Sequence, residues 1–197
     1  FNASPEFAQL PPARRKLVEN ALRDFRLGGA ELPAAVKPRY AAIQEELASL
    51  SAKFSENVLD ATNDFSLFLD KEKISGIPED VLAGAREAAE KDGKPGWKFT
   101  LQMPSYFPVM QYADDRALRE IMYRASATRA SEFGKAEWDN TPLIGRILKL
   151  RKEDAVLLGY PSFAEVSLEP KMAQTPQQVI EFLRDLAGRA RPFAERD

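Results

Sequence analysis

The 197-residue chain contains no histidine and no cysteine. Without cysteine it can form no disulfide, no thiolate metal site and no thiol nucleophile; a reducing compartment suits it, and the cytoplasm is the expected location. Without histidine it lacks the commonest imidazole metal ligand and general base, which excludes most zinc chemistry and every serine or cysteine triad that works through imidazole. Charge of one sign is also missing. The 28 basic and 30 acidic residues leave a net charge of −2, so no global field draws nucleic acid or anionic lipid. No apolar run approaches the ~20 residues needed to cross a bilayer. The opening Phe1-Asn2-Ala3-Ser4-Pro5-Glu6 has neither the basic nor the apolar region of a signal peptide, and it lacks Met, which reads as a piece of a longer polypeptide.

What is present is a globular balance, 44% hydrophobic and 29% charged. After Pro11-Pro12, Leu17, Val18, Ala21, Leu22 and Phe25 share one side of a predicted helix that Gly28-Gly29 stops. Beyond Pro33, Val36, Tyr40, Ile43, Leu47, Leu50, Phe54 and Ala61 recur at spacings of three, four or seven, a seam expected to pack antiparallel to the first helix. The period then falls to two. Phe65, Leu67 and Leu69 predict one strand and Trp97, Phe99, Leu101 and Met103 a second, with an alanine-rich helix from Pro78 to about Lys91 between them.

Pro104 is expected to stop the second strand, followed by a short turn of helix through Val109 to Tyr112. Asp114-Asp115 head a helix through Ala125, and Thr141-Pro142 read as a cap followed by proline at the first helical position. Thr175-Pro176-Gln177-Gln178 match a capping box, opening a helix that Pro192 kinks or ends. The fold expected is mainly α: one elongated multi-helix domain over 1–197 with one small two-stranded antiparallel β-hairpin. Its parts are a helical pair over about 12–63, the hairpin with its inserted helix over about 65–103, and a helical remainder over 105–197.

Motifs that carry chemistry are scarce. No glycine spacing makes a dinucleotide or phosphate loop; Gly134-Lys135 is followed by Ala136. Asp60, Asp64 and Asp70 do not alternate as a calcium loop requires. The pairs Glu45-Glu46 and Asp114-Asp115 read as a solvated face and a helix cap ahead of acid and base partners. Arg116, Arg119, Arg124 and Arg129, with Tyr112 and Tyr123, could hold an anion, but structural ion pairing ranks first because they do not share one helical face. No catalytic or metal-ligating residue is therefore assigned, and substrate-binding residues stay unknown at this level.

A colinear set of segments carries more information than any of these. Phe54-Ser55-Glu56-Asn57-Val58-Leu59-Asp60-Ala61-Thr62 is joined in order by Pro104-Ser105-Tyr106-Phe107-Pro108-Val109-Met110, Leu118 to Ala125, Thr128-Arg129-Ala130-Ser131 and Trp138-Asp139-Asn140. Leu158-Gly159-Tyr160 and Lys171-Met172-Ala173 extend it. From Pro11 to Pro192 the chain resembles the oligopeptidase A branch of the thimet-oligopeptidase-like zinc peptidases.

The resemblance implies a cytoplasmic metallopeptidase that degrades short peptides, with helical walls flanking a deep channel. It also implies that zinc sits in the complete protein on a His-Glu-x-x-His helix and a downstream glutamate, none of which is present here. The stretch then corresponds to a non-catalytic wall segment in the amino-terminal half, with no cofactor of its own and inactive alone. Its partners are the remaining domains of the same polypeptide and, through them, short peptides; self-association through faces meant for those domains is expected. The alternative is a free-standing helical adaptor that binds a peptide or protein. A histidine-free enzyme ranks last.

Overall fold

The computed structural model describes residues 3–196. Among them the order is α1 (Pro5–Ala8), α2 (Pro12–Leu27), α3 (Lys37–Asp64), β1 (Ser66–Leu69), α4 (Glu79–Lys91), β2 (Trp97–Thr100), α5 (Met103–Tyr112), α6 (Arg116–Ala127), α7 (Thr141–Leu157), α8 (Phe163–Leu168) and α9 (Pro176–Ala194). Helices dominate, as the periodicities predict. The one sheet among these residues is the expected antiparallel pair, in which Ser66 faces Thr100, Leu67 faces Phe99, Phe68 faces Lys98 and Leu69 faces Trp97.

Contacts group the chain into two compact units, Ala48–Gly145 and the residues up to Leu47 with those from Arg146 onward. The larger buried cluster lies in the Ala48–Gly145 unit, where a two-stranded ribbon too small to persist alone is covered by helices. Here α4 packs on β2, and α5 packs on α4, β2 and α6. Phe99, Val109 and Met122 are fully buried, with Leu69, Ile74, Ile77, Leu101 and Leu118 around them. Two glycines fit this unit tightly: Gly96 (φ +86°) and Gly76 (φ +83°) sit where a Cβ would collide with the carbonyl oxygens of Leu69 and Tyr112. Because Phe99 is wholly enclosed, Phe99→Ala is expected to cost about 3–5 kcal/mol, read as a lower urea midpoint; a loss under about 1 kcal/mol would show that the cluster is not the unit's core.

In the other unit α3 finds a partner that its own periodicity cannot name. Arg39 reaches Glu153 through both carboxylate oxygens at 2.6 and 2.5 Å, Gln44 donates to Asp154 at 2.7 Å, and Arg146 pairs with Glu46. Positions rise on α3 as they fall on α7, so the two run antiparallel, with Ile43, Leu150 and Ala155 fully buried. The antiparallel packing of α2 along the α3 seam that the sequence predicts is not found among the described residues: no residue of α2 is buried, and the two helices are tied only near their joined ends, where Tyr40 Oη donates to the Leu27 carbonyl at 2.7 Å.

Asp154 is a buried carboxyl whose recorded donor is Gln44, and burial raises its pKa. The folded protein then holds this proton more tightly than the unfolded chain, so Asp154 opposes folding increasingly as pH climbs from the ordinary carboxyl range through the raised value. Asp154→Asn is expected to raise the thermal midpoint at pH 7 and to lose that advantage in acid. Equal midpoints at both pH values would refute it.

Several boundaries differ from the sequence expectation. The second strand stops at Thr100, and Met103, expected as strand, begins α5, because proline's fixed φ and missing N–H suit a helix's first turn as well as they end a strand. The short turn of helix expected through Val109 to Tyr112 is thus a ten-residue helix that starts at Met103. Thr141 is the first helical residue and not the cap: Asp139 Oδ1 accepts its N–H at 2.9 Å, and the Thr141 side chain first and this backbone bond second lower the Asp139 pKa. Pro192 lies inside α9, which continues to Ala194. The short α1 and α8 span too few residues for an apolar period to reveal them.

Candidate functional site

The segments that carry the family resemblance are far apart in sequence, and the fold brings three of them together within the Ala48–Gly145 unit. One side is the second half of α3, with Asn57 and Thr62 buried. The others are the turn after α6, holding Arg129 and Ala130, and the approach to α7 through Lys135, Trp138 and Asn140.

Asn140 is 2% exposed and links all three. Its backbone N–H donates to the Ala130 carbonyl at 3.0 Å, its Nδ2 to the Phe54 carbonyl at 3.1 Å, and its Oδ1 accepts from Asn57 Nδ2 at 2.8 Å. The amide orientations are forced. A backbone carbonyl can only accept, so Asn140 must present nitrogen to Phe54 and oxygen to Asn57, which in turn must present its nitrogen. Asn57 Oδ1 is left buried with no partner. Ala130 has φ 48°, a positive value that no other described non-glycine residue adopts.

Arg129 closes the junction from α6: its Nε donates to the Ser126 carbonyl and its Nη1 to Thr62 Oγ1, both at 3.0 Å. The Thr62 hydroxyl itself donates a hydrogen bond to the Val58 carbonyl at 2.7 Å. Beside these groups lies an open recess of about 300 Å³ lined in part by Asp64, Phe65, Arg129, Lys135 and Trp138. Lys135 pairs with Asp64 at 2.6 Å and stands 4.7 Å from the centre of the Trp138 ring.

This arrangement locks helices together. The Thr62 hydroxyl is bound to a carbonyl and not to a base, and the two cations face partners already within reach. Nor do the residues fit a metal ion: the sequence has no imidazole or thiolate, and no three carboxylates converge among the described residues.

The arginines singled out by their number go to separate partners. Arg119 bonds the Ala113 and Asp114 carbonyls, Arg124 pairs with Glu120 at 2.9 Å, and Arg129 turns to α3. One is thus the ion pair that composition suggests, and two bind backbone or hydroxyl oxygens. Arg116, Tyr112 and Tyr123 are exposed. The acidic pairs behave as surface and cap. Glu46 holds Arg146, while Asp115 accepts from the Leu118 and Ala117 N–H groups, bonds that with nearby Lys73 lower its pKa. Asn57, Thr62 and Asn140 escape any pattern of charge or period; the signal that contains them is the colinear set of segments.

Comparison with known proteins agrees with that set. Residues 109–197 match the model of peptidase family M3. The chain is 48% identical to oligopeptidase A of Haemophilus influenzae over 98% of its own length and 29% of that protein. It is 45% identical to a probable cytosolic oligopeptidase A of Arabidopsis thaliana over 93% of its length and 27% of the relative. It is 33% identical to dipeptidyl carboxypeptidase of Escherichia coli over 91% of its length and 26% of the relative. The chain therefore spans less than a third of each of these proteins. With likeness of that extent along nearly its whole length, the chain belongs to peptidase family M3.

Proposed function

We propose that the complete protein is a cytoplasmic, zinc-dependent oligopeptidase that hydrolyses short peptides, and that these 197 residues form part of a non-catalytic helical wall beside its substrate channel. The observation that carries this reading is the 48% identity to oligopeptidase A across 98% of the chain. The wall role is supported by what the matching segments do: Asn57, Thr62, Arg129 and Asn140 spend their polar groups holding α3, α6 and the approach to α7 together. The cytoplasmic placement is supported by the cysteine-free composition and by the cytosolic name of the 45% identical plant relative.

Zinc and the groups that act with it belong to parts of the polypeptide outside this stretch, because the residues here do not fit the ion. The adaptor alternative draws no comparable support from the relatives. Chelator-sensitive cleavage of a short fluorogenic peptide by the complete protein, with a folded protein left intact, tests the reading. Hydrolysis that is indifferent to chelation would overturn it.

A further inference from the structure

Nearly all of α9 stands clear of the rest of its unit. It meets α8, but from Ile180 to its last residue every position is exposed, including Phe182 at 61%, Leu183 at 55%, Leu186 at 45% and Phe193 at 64%. At 3.6 residues per turn, Val179, Phe182, Leu183, Leu186, Ala190 and Phe193 fall within a sector about 100° wide, the stripe of a helix built to lie on an apolar surface. The nearest flanking charges already satisfy each other, with Arg189 bonded to Asp185 at 3.0 Å. What the stripe leaves open is apolar complementarity.

The sequence of α9 does not sustain a lone helix. Gly188 and Pro192 in its interior cost roughly 1 and 3 kcal/mol relative to alanine. In proteins most helical stability comes from packing of an amphipathic face and not from propensity. A covering surface is needed.

We propose that α9 docks through this stripe onto the part of its own polypeptide that lies outside these 197 residues. The relatives favour that occupant over a second copy. Proteins that align with 98% of this chain are covered by it over only 29% of their length, so most of the polypeptide is tethered to α9 and competes at high effective concentration. A second copy has to be drawn from dilute solution. The inference rests on reading this chain as one section of a longer peptidase.

The test uses the complete protein with cysteine placed either in the stripe, Leu186→Cys, or on the opposite side of α9, Glu181→Cys, and follows thiol labelling at each site by mass spectrometry. Leu186→Cys is expected to label more than about tenfold more slowly than Glu181→Cys at every protein concentration. Equal rates would overturn the proposal, and so would protection that vanishes on dilution together with a halving of molecular mass, which would assign the stripe to a second copy. Should Leu186→Cys disturb folding, hydrogen exchange of the α9 amides in the unaltered protein decides the same question: slow exchange supports docking, and unprotected exchange refutes it. Peptide hydrolysis measured on the same samples is a separate readout, so protection without activity counts against the proposed function alone.

Discussion

Purified by itself, the 197-residue chain is expected to leave a quenched fluorogenic peptide uncut, at least about 10⁶-fold below the turnover proposed for the complete protein. The reason is chemical. Peptide hydrolysis at neutral pH requires a base that takes a proton from water or a metal that acidifies it. This chain has no imidazole to serve as either base or ligand. Several of its carboxylates are engaged in structure: Glu46 and Glu153 lie in bidentate pairs with arginines, Asp115 and Asp139 accept backbone N–H groups at helix starts, and Asp154 is buried beside Gln44. Hydrolysis by the purified chain that a zinc chelator abolishes, with contaminating peptidases excluded, would show that a metal centre had been missed.

The second large effect belongs to the junction. Asn140→Ala is expected to cost about 3 kcal/mol, because it strands the buried Asn57 amide nitrogen and removes the bond to the part-buried Phe54 carbonyl. Asn57→Ala should cost less than half of that. It strands one acceptor, Asn140 Oδ1, but also removes an oxygen that is already unsatisfied. The two variants should couple in a double-mutant cycle, since they share a bond at 2.8 Å. Urea unfolding with an unchanged denaturant slope measures both. An Asn57→Ala cost equal to or above that of Asn140→Ala would contradict the assigned amide orientations.

Elements whose reason is local were legible in advance. The β1–β2 pairing follows from alternation at Phe65 to Leu69 and Trp97 to Phe99, and its register obeys the side-chain period of two. Thr175 accepts the Gln178 N–H at 3.1 Å while Gln178 Oε1 accepts from Gln174, as a capping pattern three residues apart allows. Asp115 caps α6 for the same reason. Prolines misled where one residue serves two roles, as Pro104 does at the boundary between strand and helix.

What the amino-acid order determined alone is the helical class, the single small ribbon, the absence of imidazole and thiol chemistry, and the colinear segments that place the chain in its family. The tertiary structure decided which helix α3 lies against, that Asn57, Thr62, Arg129 and Asn140 meet, and that α9 presents its apolar stripe to solvent. The division has a physical cause. Periods and caps depend on neighbours within a few positions along the chain, whereas a bond between residues 83 apart depends on how every intervening element packs.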